Sequence, residues 1–88
     1  YYENPEFFKK QLVGWFSYPH DLSKYVRFIV VDDGSPRNPA ETLLRDVAAP
    51  YQLRLFRIDV DVRWNWLAAR NIGANHADTK WIALTDMD

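Results

Sequence analysis

Val26-Arg27-Phe28-Ile29-Val30-Val31 runs without a break into Asp32-Asp33-Gly34-Ser35-Pro36. All of the first six residues but Arg27 are β-branched or aromatic. A nearly continuous run of this kind suits a strand covered on both faces, as in a parallel sheet. The next five residues are turn chemistry. Asp and Ser bond their own backbone, and Gly accepts positive φ. A strand of this type ending in two acids organises the reading of everything around it.

Upstream, Asn4 is a capping residue and Pro5 fits the first helical position, where a missing N–H costs nothing. Phe8, Leu12 and Phe16 recur at four-residue spacing, with Val13 and Trp15 beside them, and Glu6 and Lys10 make an i,i+4 pair. The pattern predicts a helix over about 5–17, stopped by Tyr18-Pro19. Downstream, a short helix is expected over about 39–48, with Pro50 marking its end. Leu53–Ile58 reads as a strand nearer a sheet edge, with Leu53 and Leu55 inward and Arg54 and Arg57 exposed. Residues 59–63 form a loop. A helix over 65–77 follows, in which Gly73 allows close packing at a cost in propensity. Trp81–Thr85 is expected to be the final strand. Strands alternating with helices imply an α/β fold, a parallel sheet flanked by helices in one unit.

The 88 residues hold at most one small domain or a piece of a larger one. Hydrophobic residues at 48% and aromatics at 16% demand a core rather than a disordered tail. The formal net charge of −1 argues against a sequence-blind nucleic-acid binder, which needs a basic surface. No 18-residue apolar run suggests a membrane span, and no signal segment is visible. The cytoplasm is the expected compartment. With zero Cys, neither a disulfide framework nor a thiolate zinc site is available.

In open α/β sheets, ligands bind beyond the carboxyl ends of the strands. Asp32 and Asp33 end one strand, and Asp86 and Asp88 end another. Four carboxylates gathered on one sheet edge would repel each other and call for a cation, a proton or a hydrogen-bonding ligand. Hard oxygen donors suit Mg²⁺ or Mn²⁺, which take one or two protein carboxylates and complete their shell with water and phosphates. The Asp32-Asp33 turn alone reads equally as ordinary turn structure, and the terminal Asp86/Asp88 pair alone reads by default as a solvated loop; both at strand ends of one unit favour a site. His20 and His76 lack ligand spacing and read as surface residues. Trp64 and Trp66 flank Asn65 at a helix start, where packing is the expected role and a ligand wall the alternative. No phosphate-loop or G-x-G-x-x-G glycine pattern is present.

These residues resemble the N-terminal part of a family 2 glycosyltransferase with the GT-A fold. The resemblance rests on Tyr1-Tyr2-Glu3-Asn4, FIVVDDGSP over 28–36, AARNIGA over 68–74 and TDMD over 85–88, in the family's order and spacing. It implies a Rossmann-like sheet and a nucleoside-diphosphate-sugar donor site. Tyr2 would pack its ring on the nucleotide base, and Asp33 would accept a hydrogen bond from that base. Arg70 would face the ribose or phosphate. Asp86 would contact ribose and, with Asp88, hold a divalent metal, Mn²⁺ or Mg²⁺. Arg63, in the unusual loop 59–65, would also reach the nucleotide. Glu3 departs from the family's usual Asn, so the turn there is expected to differ.

The resemblance further implies a partial domain over 1–88. The first strand, central in the family's sheet order 3-2-1-4, would end where this chain begins. The acceptor half and the catalytic base would lie beyond Asp88. The expected enzyme transfers a sugar, with inversion, to a glycan, lipid or protein. These 88 residues alone are expected to be inactive and, with unpaired strand edges, aggregation-prone or molten. Two other functions fit the residues less fully. A receiver-like phospho-acceptor domain also places an acidic pair after one strand and an Asp after a later one. A non-catalytic α/β unit would leave the acids merely solvated.

Overall fold

Asn4 starts the first helix as its position before Pro5 suggests, its side chain accepting from the Phe7 N–H at 3.2 Å. The computed structural model describes residues 1–47 and 52–86. Helix α1 spans Pro5–Phe16 and closes where Ser17 N–H bonds the carbonyls of Val13 and Gly14. A further short helix, α2 over His20–Ser23, follows Pro19 and was not anticipated. Strand β1 is Phe28–Asp32, α3 is Ala40–Arg45, β2 is Leu53–Arg57 and α4 is Trp66–Asn75. Pro50 and the last residue of the expected 39–48 helix lie outside the described residues.

The two strands pair in parallel, from Phe28 opposite Leu53 to Asp32 opposite Arg57. Alternation along β1 divides the layers. Val30 faces α1 and α3, where Phe8, Leu12 and Ala40 are fully buried and Leu53, Leu55 and Trp15 pack around them. Trp15 stacks on Phe28 of the same face at 4.5 Å between ring centroids. Ile29 and Val31 point the other way, towards Gly73 of α4. A methyl group at Gly73 would stand 3.6 Å from Val31 Cγ2, an ordinary contact, so the helix–strand approach does not require glycine there. Helices therefore cover both faces of a two-stranded sheet, the arrangement of an incomplete GT-A Rossmann-like unit.

Three expectations need correction. Phe16 does not extend the buried stripe; it is half-exposed, and its neighbour Trp15 makes the contact with Phe28 of the sheet instead. Glu6 faces Lys9 at 3.8 Å rather than Lys10, a pairing one residue closer that is equally available on a helix surface. The third concerns Trp81–Thr85, which is not a strand and is exposed throughout. Strand structure exists only through a ladder partner. A cavity of about 250 Å³, lined by Ile29, Val30 and Val31 on one side and Ala83, Leu84 and Thr85 on the other, separates this segment from β1.

The free edge of β1 has one rung near its end. Tyr1 N donates to the Val31 carbonyl at 2.8 Å, and Asp33 N donates to the Tyr1 carbonyl at 2.9 Å. This is the bonding of a parallel pair with Tyr1 opposite Asp32. On the other edge, Ile58 N bonds the Asp32 carbonyl at 2.9 Å.

Asp32 is 1% exposed. Its Oδ1 accepts from Ser35 N at 2.9 Å and its Oδ2 from Ala40 N at 2.8 Å. One carboxylate thus closes the turn after β1 and holds the start of α3. Asp32→Ala strands two buried N–H groups and should cost about 2 kcal/mol or more in urea unfolding of the protein, since each unsatisfied buried donor costs about 1–3 kcal/mol. A loss below about 0.5 kcal/mol would show that water replaces the carboxylate.

Candidate functional site

Because Asp32 turns inward, Asp33 on the next position turns outward. It lines a cleft of about 890 Å³ beyond the carboxyl end of β1, together with Tyr2, Asp61, Arg63, Trp64, Trp66, Arg70 and Asp86. Tyr2, Asp33, Arg70 and Asp86, which lie far apart in the chain, are all brought to this one cleft. Asp88 lies outside the described residues. The four strand-end acids do not gather as expected: Asp32 is spent on backbone donors, leaving Asp33 and Asp86 on the cleft. That removes the free acidic pair on which a receiver-like site depends.

Asp33 Oδ1 is buried and has no hydrogen-bond partner among the described residues. A buried acceptor without a donor is costly, and such groups call for an explanation. Arg70 and Asp86 line the same cleft. Arg70 Nη2 meets Asp86 Oδ1 at 2.6 Å. Its guanidinium also lies 5.1 Å from the Trp66 ring centre, as the i,i+4 spacing on α4 allows. The pair is largely solvent-accessible, so it orients both groups without adding much stability. It pins the otherwise extended 81–86 segment to α4.

The floor of the cleft is built by residues 1–3 and the loop 59–65. Tyr2 Oη donates to Asp61 Oδ2 at 3.2 Å. Desolvation first, then this bond and the Asp61 charge, push the Tyr2 phenol above its ordinary value of 10.0, against the opposing charge of Arg37. Tyr2 therefore stays a neutral donor. Gly34 has φ +76°, and a Cβ there would meet the Val60 carbonyl oxygen at 2.7 Å and Asp61 backbone atoms at 3.0 Å. The loop is thus seated directly on the turn after β1. Trp64, at φ 60°, is one of two non-glycine residues with positive φ among the described residues.

The other is Glu3, at φ 46°. The turn does differ there, in a definite way. Glu3 N donates to Ser35 Oγ at 3.0 Å, and Ser35 is fully buried. The Glu3 carboxylate accepts from Arg37 N at 2.7 Å, Asn38 N at 3.2 Å and Asn38 Nδ2 at 2.7 Å. It ties the N-terminal segment to the turn that carries Asp33. Beside it, Tyr1 Oη donates to the Asn38 carbonyl at 2.6 Å, and burial with the charges of Asp32 and Glu3 pushes the Tyr1 phenol up to about 12.

Asp61 and Glu3 carried no functional reading from sequence, and the two tryptophans were assigned to packing. Trp64 is 79% exposed and Trp66 half-exposed, and both line the cleft, so neither is packed into the core. A large aromatic pair in a polar loop was the available signal. Asp61 had none, because its partner Tyr2 is 59 residues away. Among the described residues, no three His, Cys, Asp or Glu side chains converge on a metal-sized site.

Two outcomes follow for this scaffold. Desolvation raises the Glu3 pKa, but the bonds from Arg37 and Asn38 outweigh it and hold the carboxyl below its ordinary 4.5. A depressed folded-state pKa supplies stability above the unfolded value, lost as pH falls through the folded one. The stability gap between the protein and its Glu3→Gln variant should therefore be full at neutral pH and close below about pH 4. A gap independent of pH in thermal unfolding would show that the charge is immaterial. At Gly34, alanine meets both the backbone clash and the positive φ. Gly34→Ala should destabilise by more than about 1 kcal/mol and move the 59–65 loop, seen as shifted amide resonances at Asp61 and Trp64.

Comparison with curated proteins and with solved structures returns no match. The comparison with families does. Residues 19–88 match the profile of Glycosyl transferase family 2, a span that includes the Asp32-Asp33-Gly34-Ser35 turn, α4 with Arg70, and Asp86. An α/β unit with its cleft beyond β1, matched over most of its length, belongs to Glycosyl transferase family 2, a family that transfers glycosyl groups.

Proposed function

We propose that the cleft binds the nucleotide portion of a nucleoside-diphosphate sugar, and that the protein carrying this chain transfers the sugar to a glycan, lipid or protein acceptor. The observation that carries the reading is the buried Oδ1 of Asp33, without a partner among the described residues, on a cleft that also holds an aromatic ring and two arginines. A nucleobase N–H is a donor of the right kind for that oxygen. Tyr2 presents a ring beside it, and Arg70 and Arg63 offer cationic donors suited to phosphate oxygens.

In such a transfer, an acceptor oxygen attacks the anomeric carbon, the bond from that carbon to the diphosphate oxygen breaks, and the diphosphate leaves. The acceptor's proton goes to a base outside the described residues. Arg70, which lines the cleft, would meet the charge that develops on the leaving group. Doing so would exchange its ion pair with Asp86 for one with phosphate, which frees the Asp86 carboxylate. Asp86 and Asp88 together are a sparse set of hard oxygen donors, of the kind Mg²⁺ or Mn²⁺ accepts when phosphates and water fill the remaining positions. Such an ion would neutralise the diphosphate.

Calorimetric titration of the complete protein with uridine and guanosine diphosphates in Mg²⁺ or Mn²⁺ tests the reading. One of them should bind, and Asp33→Asn should weaken it at least about tenfold, the effect of losing one charged hydrogen bond in a desolvated site. Asp88→Asn should abolish the metal dependence. Absence of binding, or binding indifferent to both substitutions, would sink it.

A further inference from the structure

Trp64 has three properties that are hard to reconcile with a packing role. Its side chain is 79% exposed. Its backbone sits at φ 60°, a region that a bulky residue rarely adopts. No hydrogen bond, ion pair or ring contact engages it among the described residues. Trp66, two positions on, differs on the last count, because the Arg70 guanidinium covers its ring. Nothing in the local fold repays a left-handed tryptophan held in water. Asn or Gly would take the same backbone more readily.

The loop nonetheless holds Trp64 in a definite place. Val60 and Asp61 rest on Gly34 in the turn that carries Asp33, with no room for a side chain between them. Asp61 is bonded to the Tyr2 hydroxyl. Three residues later, the indole lines the same cleft as Tyr2 and Asp33. Tyr2 and Trp64, from separate parts of the chain, therefore line the one cleft that holds the buried acceptor of Asp33.

We infer that Trp64 is a stacking platform for the nucleobase of the ligand, a second aromatic wall in addition to Tyr2. The inference rests on the nucleotide-binding reading above. Stacking would bury the exposed indole on ligand binding, and the left-handed backbone would be retained because it aims the ring. Trp64 would then set affinity for the base while contributing nothing to the diphosphate.

The test uses the complete protein, titrated with uridine and guanosine diphosphates and, separately, with inorganic pyrophosphate, each in Mg²⁺. Trp64→Asn is the chosen variant because Asn tolerates the left-handed backbone and should preserve the loop. It should weaken nucleoside-diphosphate binding about tenfold or more, in line with the loss of one base–aromatic stack, and leave pyrophosphate binding unchanged. Trp64→Phe should retain most of the affinity. Nucleotide affinity within about twofold of the unaltered protein in Trp64→Asn would overturn the platform while leaving the donor-site reading intact. Equal weakening of pyrophosphate would overturn it too, as a general disturbance of the cleft. If the unaltered protein binds no nucleotide and Asp33→Asn changes nothing, the donor-site reading fails and the platform with it.

Discussion

The carboxylate of Asp32 accepts one N–H from the turn after β1 and another from the first residue of α3, in a site closed to water. Charged hydrogen bonds to backbone donors are among the stronger ones available to a small domain. Here they fix where the chain goes after the strand. With Asp32 committed inward, the alternation of a strand end sends Asp33 outward to the cleft. The same turn carries Gly34, whose missing side chain lets the 59–65 loop sit against it, and Ser35, whose hydroxyl receives the Glu3 N–H. Arg57 completes the cluster from β2, donating to the Ser35 carbonyl at 3.1 Å. Neighbouring residues of one turn thus divide between building the scaffold and facing a ligand.

The cleft is assembled from four stretches of chain that meet only through this turn. Residues 1–3 arrive by the Tyr1 rung on β1 and the bonds of the Glu3 carboxylate. The 59–65 loop arrives over Gly34, α4 packs on Ile29 and Val31, and the 81–86 segment is joined to α4 by Arg70 and Asp86. The last link is the weakest. It is an accessible ion pair, screened by salt, on a segment with no strand partner among the described residues. Motion between Asp86 and the rest of the site is therefore easier than motion between Tyr2 and Asp33.

The departure at Glu3 shows how a local substitution is absorbed. A left-handed backbone suits Asn better than Glu. The longer side chain compensates by reaching the N–H groups of Arg37 and Asn38, converting a turn residue into a brace for the turn opposite. Trp64 has the same backbone conformation and no such compensation within the fold, which separates the two cases physically.

What the amino-acid order determined by itself was local. The capping Asn4-Pro5, the stop at Tyr18-Pro19, the two-faced apolar run of β1, the edge character of β2 and the loop at 59–63 all follow from short-range chemistry, and the structure has them. The motif segments, through their resemblance to the family, offered Tyr2, Asp33, Arg70 and Asp86 as candidates for one site. Tertiary structure alone decided which aspartate of the Asp32-Asp33 pair is scaffold, that Phe16 leaves the core, and that Trp81–Thr85 is not a strand. It also decided that Asp61 and Trp64 belong to the cleft. The inward Asp32, the absent strand and the placing of Asp61 each depend on a three-dimensional partner: a backbone N–H, a neighbouring strand or a hydroxyl. No local propensity reports whether such a partner is within 3 Å.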